Sequence, residues 1–499
     1  MGIVIRQSLK GTFVNYIGVI LGVFVQMFIV AKYVDPETLG LTKVLYEVAF
    51  FLSSLALLGS GSTGMRFFPY FKDKETGNHG FLFYYILMPI VGIAAITLLY
   101  SLLRGSIVEY FSNDSPLFGE YDCYVIPLML VLTLWVWSEN YANIHMRIAI
   151  PKAIREIGMR ILMLIVYVAF GKQFLDLNGL ILGFIVCYGI CMLAAGTYSL
   201  CVGCRTLTHD WNFLSHELRG KILRYSGFLM LSTISGNIMA QLDLFMLSSE
   251  EKQGLYSAGV YTMIIFMVEF VNMPTRNITP ISTPLAANAM KENNLAEAKK
   301  LYQQVSVHQM LASTVLLLLI WVNLDNIFAI MPNGDKYAAG KWALLFLGFS
   351  KVIYGTLNFG NTLISFSKYY YWTLIITIIL TFLTIGTNLY FIPLFGISGA
   401  ALATLIASVL SYSYQQFLVQ TKIKTNPFTW SHLRIMVTIA TLYGLNYLIP
   451  SLSHISPWLD GAVRTLLLAT ICLVIVYKLK ISPQINGFIY KRFLNNKRN

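Results

Sequence analysis

The sequence predicts an all-α polytopic membrane protein, and three observations predict it. First, 56% of the 499 residues are hydrophobic and only 12% are charged, with a mean hydropathy of +0.65. A soluble domain carries about 25% charged residues, and burying so much apolar surface in water would need an implausible core, whereas lipid accepts it. Second, apolar segments of membrane length, about 20 residues each, succeed one another along the chain. Third, two of these segments match each other about 210 residues apart, the sign of an internal repeat. Asp35-Pro36-Glu37-Thr38-Leu39-Gly40-Leu41 opens one span, which closes at Met65-Arg66-Phe67-Phe68-Pro69. Glu250-Glu251-Lys252-Gln253-Gly254-Leu255-Tyr256 opens the other, which closes at Pro274-Thr275-Arg276-Asn277. In a membrane chain such duplication suggests two bundles facing each other across a path.

Fourteen spans are expected: 12–33, 41–65, 81–103, 123–145, 157–171, 179–203, 225–248, 257–280, 305–331, 342–366, 372–391, 398–419, 433–450 and 460–478. The first is long and has no small-residue cleavage site, so it reads as a retained span rather than a signal peptide. Arg6 stands where N-myristoylation wants Ser or Thr, which excludes that modification. The second is opened by Asp35 at the N-cap, Pro36 at the first helical position and Glu37 after it, an ordinary helix start. The fifth and thirteenth are the shortest. The longest outside loop is expected from Arg104 to Asp122. Basic linkers at 204–224 and 281–304 are expected to carry short surface helices, and 291–304 has helical composition. The first linker follows the sixth span, which divides the chain into a six-helix lobe (1–210), a second six-helix lobe (211–424) and two additional helices with a basic tail (425–499). Because six is even, the lobes share one orientation and are related by an axis along the membrane normal.

Loop charge orients the chain. With the N-terminus cytoplasmic, the cytoplasmic segments hold twenty-five Lys and Arg and the opposite side holds eight. Both termini are therefore expected in the cytoplasm of a multi-pass protein. The net charge of +13 then faces an anionic leaflet, and no nucleic-acid partner is needed to explain it. Six cysteines are present, and Cys201-Val-Gly-Cys204 has zinc spacing, but no second pair or nearby His couple accompanies it. Packing is the expected role of the cysteines, with no metal and no organic cofactor. No Ser/His/Asp set or phosphate-cradling glycine loop is found.

Ionisable groups inside spans cost roughly 2.5–3.5 kcal/mol each, so the few present are the functional candidates. Glu139 and Lys351 differ by 212 positions and each follows a serine, Ser138 or Ser350, in the fourth helix of its half. Opposite charges at matching positions are expected to pair across a central cavity. Arg66 and Arg276 occupy matching ends of the second helix of each half, and two guanidinium forks suit a diphosphate. Snorkelling to lipid headgroups is the competing reading for both arginines and for Arg160. Pro274 and Pro280 around Arg276 favour a cavity-facing position there. Asp243 and Glu269 are candidates for a coupling H+ or Na+, with Asn237 and Gln241 as the uncharged polar set beside Asp243. The alternative for these four is a hydrogen-bond network between helices. Trp135, Trp137, Tyr256 and Tyr261 are candidates for stacking on sugar rings.

Pro393-Leu-Phe-Gly396-Ile-Ser-Gly399-Ala400-Ala401-Leu-Ala403-Thr404 resembles the signature opening the twelfth helix of bacterial polysaccharide flippases. The first 80 residues, the fourteen spans and the acidic-turn glycines Gly40 and Gly254 are similar to that family as well. The resemblance is to the Wzx-like branch of the multidrug/oligosaccharidyl-lipid/polysaccharide (MOP) exporter superfamily. It implies a V of two six-helix lobes with two extra helices, as in MATE transporters. It also implies an alternating-access flippase for undecaprenyl-diphosphate-linked oligosaccharides in the bacterial inner membrane, not an enzyme. Arg66, Arg276 and Lys351, with Glu139, would take the substrate, while Na+ or H+ drives return. Membrane lipids and the pathway's polymerase and glycosyltransferases are the implied partners. The acids Glu139, Asp243 and Glu269 depart from a purely cationic cavity and also suit a cation-coupled multidrug exporter. A lipid II flippase and a membrane glycosyltransferase remain as further alternatives.

Overall fold

The computed structural model describes residues 17–481 except 74–76, 113–114, 148, 204–212, 214 and 252, with side chains described except at 112, 228, 229 and 231–240. Among these residues every regular element is a helix. In chain order they are α1 (Ile17–Tyr33), α2 (Pro36–Phe71), α3 (Asn78–Phe111) and α4 (Pro116–Ile144). Then α5 runs from Ala149–Ala153 through a π turn at Ile154–Gly158 into Met159–Gly171. Next come α6 (Leu177–Val202), α7 (His216–Glu250), α8 (Gly254–Lys291), α9 (Leu295–Val322) and the short α10 (Leu324–Ile330). The series ends with α11 (Gly334–Leu357), α12 (Phe359–Ser365), α13 (Trp372–Ile423), α14 (Trp430–Asn446) and α15 (Pro457–Lys478). Among the described residues eight helices are long and apolar enough to cross a membrane, or nine if the pair α11 and α12, bent by 42°, is one span. The chain is a multi-pass membrane protein. The apolar segments 372–391 and 398–419 lie on the two arms of α13, broken at Gly396 (φ 54, ψ −128), a conformation only glycine adopts freely.

The sequence signals that start these helices act as expected. Asp35 caps α2, its carboxylate accepting from Thr38 N–H at 3.2 Å, and Pro36 takes the first turn. Two loop expectations are corrected. The stretch from Arg104 to Asp122 is helical on both sides, and its ends pair bidentately, with Arg104 Nε to Asp122 Oδ2 at 2.6 Å and Nη2 to Oδ1 at 2.8 Å. The linker 281–304 shrinks to Glu292–Asn294, because α8 runs on to Lys291 and Asn294 caps α9 by accepting from Glu297 N–H at 3.1 Å. Most of the 204–224 linker before Ser215, Cys204, Lys252 and the basic tail beyond Ile481 lie outside the described residues. Cys187, Cys191 and Cys472 are buried free thiols.

The helices pack into two compact units, Met1–Gly259 and Val260–Asn499. The first has an aromatic core from α2, α3 and α4: Phe67, Phe71, Phe81, Tyr85, Trp137 and Tyr141. It also contains the backbone crossing of α2 with the first turn of α8. A Cβ on Gly40 would land on the Leu255 carbonyl, and one on Gly259 would land on the Pro36 carbonyl. Small residues allow such contact where lipid supplies no hydrophobic drive.

The second unit binds its last helices to α9 and α10. Asp460, 2% exposed, accepts from Arg464 Nε at 2.7 Å, Asn326 Nδ2 at 2.6 Å and Leu452 N–H at 2.7 Å. Arg464 reaches back to Asn446 Oδ1 at 2.9 Å. Removing one member of a buried charge pair strands the other, at about 3–5 kcal/mol. Asp460→Ala is therefore expected to lower the melting temperature of the purified protein sharply, while Leu459→Ala at the exposed neighbouring position leaves it nearly unchanged.

Candidate functional site

The candidate site of the second unit is built on a break in α8. The helix stops at Val268, passes through four turn residues (Glu269–Asn272) and restarts at Met273 with Pro274 in its first turn. Proline supplies no N–H, so the chain cannot continue the ladder through this point without loss. The break brings together two residues seven apart: the Arg276 guanidinium bonds Glu269 Oε2. Lys351, from α11, reaches the other oxygen, with Nζ 3.0 Å from Glu269 Oε1. Asn272 Nδ2 adds a long donor contact to Oε2 at 3.4 Å. One carboxylate thus bridges two cations. Glu269 is 26% exposed, Lys351 33% and Arg276 65%, so the cluster is open on the arginine side. The α11 segment is held to α13 by Ser350 Oγ and Ser408 Oγ, 2.8 Å apart. Thr275, Gln309 and Ser313, all buried and each with an unpartnered side-chain oxygen, lie along α8 and α9 next to Gly355.

In the first unit α2 has a matching break, at Leu58 and Gly59, both with positive φ. The Ser226 hydroxyl of α7 donates to the Leu58 carbonyl at the bend. The second arm carries Arg66, whose guanidinium lies 4.2 Å from the Tyr225 ring centroid and 5.8 Å from that of Phe67. A stacked guanidinium keeps its edge N–H groups for an anion. Glu139, on α4, is bonded by Arg155 Nη1 at 3.1 Å. Arg155 continues to Glu156 at 3.5 Å and Glu156 to Arg160 at 3.1 Å, so a chain of alternating charges runs along the π turn of α5.

The structure brings three of the eight candidates together, Glu269, Arg276 and Lys351. Within its own unit Glu139 takes Arg155, and within its own unit Lys351 takes Glu269. Asp243 and Gln241 stand two residues apart on α7, a spacing that turns them to different faces, and both are partly buried. The Asn237 side chain lies outside the described residues. Trp135, Trp137 and Tyr261 are buried packing residues and present no open face to a sugar. Sequence reasoning missed Arg155, Glu156 and Asn272. Arg155 stands 16 residues after Glu139 and on the next helix, a separation that carries no pairing signal in the sequence. Because Glu139 is largely buried, Arg155→Ala should lower the amount of folded protein, and adding Glu139→Gln should restore it. Recovery in the double variant, read by size-exclusion of the detergent-solubilised protein, checks the pairing.

No protein-family model matches the chain, and no curated protein matches it by sequence. Solved structures do match in fold. A lipid II flippase, MurJ, in an inward closed conformation aligns at TM-score 0.72 and 16% identity, over 95% of this chain and 100% of that one. An inward-facing multidrug-resistance MATE transporter of the MOP superfamily aligns at TM-score 0.60 and 14% identity, over 81% and 95%. A MOP-superfamily transporter from Pyrococcus furiosus, described as having a binding pocket of reversed polarity, aligns at TM-score 0.54 and 15% identity, over 85% and 96%. The chain has the fold of MOP-superfamily transporters, and these neighbours are transporters and flippases.

Proposed function

We propose that the protein is a flippase that moves undecaprenyl-diphosphate-linked oligosaccharide repeat units across the bacterial inner membrane by alternating access. The observation that carries this reading is the pair Arg276 and Lys351, two cations sharing one carboxylate at a proline-marked break in a membrane helix. Such charges are costly in a membrane and are retained where a substrate uses them. The cluster keeps one net positive charge for an anionic head group. Guanidinium and ammonium donors recognise diphosphate oxygens, while the lipid tail stays in the bilayer. Arg66, stacked on Tyr225, offers a further cation. In this reading α1, α5, α7 and α14, with both arms of α13, join the longer helices to make fourteen spans in two lobes plus two extra helices, with both termini cytoplasmic. A gradient of Na+ or H+ acting on Asp243 returns the empty carrier, and the pathway's glycosyltransferases and polymerase work on either side of it.

Deleting the gene from its native host tests the proposal. Lipid-linked repeat units should accumulate on the cytoplasmic face while surface polysaccharide disappears. Unchanged surface glycan would contradict it. One observation favours a second reading, a flippase for lipid II itself: the alignment covers the whole of the MurJ chain. Expression in cells depleted of their own lipid II flippase separates the two, since only the second reading predicts rescue of growth.

A further inference from the structure

We infer that Lys368 and Lys422 form a binding site for the head group of an anionic phospholipid, at the end of the second unit where both arms of α13 leave the apolar core of the bilayer. The two lysines are far apart in sequence and meet because α13 is broken at Gly396. Its second arm returns to the end where the first began: the ring of Trp372, the first residue of α13, lies 6.3 Å from that of Tyr414 near its finish. The Tyr369 ring, just before α13, has Lys368 Nζ 5.3 Å and Lys422 Nζ 5.8 Å from its centroid. Tyr369 is a fixed platform for them. Its N–H donates to Ser367 Oγ at 3.0 Å, and its carbonyl accepts from Trp372 N–H at 3.0 Å. Both lysines are exposed, and among the described residues neither meets a carboxylate.

The depth of the pair identifies the partner. The arms 372–391 and 398–419 are each about the length that crosses a bilayer's apolar core. Lys368 precedes the first arm and Lys422 follows the second, so both ammoniums stand at head-group depth on one side. Phe366, Tyr370 and Tyr371 are exposed beside them, and membrane–water interfaces favour tyrosine rings in that position. A soluble anion gains nothing from those rings, whereas a lipid packs its glycerol and upper chains against them. Every phospholipid brings a phosphodiester, so the phosphate alone does not discriminate. A zwitterionic head group also brings an ammonium, which the two lysines repel. A glycerol head group has no such cation, so the preference for anionic lipid follows from a repulsion that the zwitterion alone bears. The inference concerns how the protein is seated in its membrane and does not depend on what it transports.

The test uses the full-length protein in uncharged detergent. Dioleoyl phosphatidylglycerol and dioleoyl phosphatidylethanolamine are titrated in, and bound lipid is read by native mass spectrometry. Wild type should bind the glycerol lipid about tenfold more tightly or better, and the Lys368→Ala, Lys422→Ala variant should lose about tenfold of that affinity. Lys368→Arg with Lys422→Arg keeps the charges and should bind as wild type does. Lys478→Ala with Lys480→Ala removes the same charge from exposed positions elsewhere and should lose less than about threefold. Three results would each overturn the inference: equal affinity of wild type for the two lipids, undiminished binding by the Lys368→Ala, Lys422→Ala variant, or an equal loss in the control pair. Binding of the free head group, glycerophosphoglycerol, as tightly as the lipid would also overturn it, because the site would then be one for soluble phosphate esters.

Discussion

Replacing Arg276 and Lys351 together by alanine is expected to abolish export while leaving the protein in the membrane at its normal amount. Charge-assisted hydrogen bonds contribute about 1.5–3 kcal/mol each, so either single variant should lose roughly tenfold or more in transport. The double variant should lose more than the sum of the two, because Glu269 then stands alone and repels the anion it formerly balanced. Immunoblotting of membranes gives the amount of protein, and mass spectrometry of lipid extracts gives the accumulated lipid-linked intermediates. Arg276 is largely exposed, so its loss should affect transport far more than folding.

The second large effect concerns the backbone crossing in the first unit. Gly259→Leu and Gly40→Leu are each expected to prevent accumulation of folded protein. In both cases the obstacle to a new Cβ is a main-chain carbonyl, of Pro36 or Leu255, not the movable end of a side chain. Ordinary overpacking costs about 1–3 kcal/mol because neighbours shift; two helix backbones in contact shift only by separating, so the cost here should exceed that range. Gly444→Leu, where a Cβ meets nothing within 4 Å, is the matched control and should fold normally. Fluorescence-detected size exclusion distinguishes the three.

Much of this architecture was legible in the residues because membrane helices are written in long apolar runs with few competing solutions. Asp35-Pro36-Glu37 read as a cap and is one, and the repeat that singled out Gly40 led to a residue in backbone contact. The segment around Gly396 read as a helix start, and the chain bends there. Charge pairing was less legible. The matching positions of Glu139 and Lys351 did not show the partner each takes inside its own unit, because local geometry supplies it: a π turn supplies Arg155 to one and a helix break supplies Glu269 to the other. A polar stretch such as Arg104–Asp122 looked like a loop because two ends joined by a bidentate pair leave no periodic signal of their own. The cluster's three members were each visible as rare charges in spans. What the linear sequence hid was that the expected coupling acid and the expected substrate cations are one group.

The most direct measurement is translocation by the purified protein in proteoliposomes, with undecaprenyl-diphosphate-linked oligosaccharide in one leaflet and its appearance in the other followed by a membrane-impermeant glycan-modifying enzyme. The account predicts ion-gradient-stimulated movement in the wild type and none in the Arg276→Ala, Lys351→Ala variant. Movement of a cationic dye with no movement of the lipid-linked glycan, or equal translocation of that glycan by wild type and double variant, would contradict it.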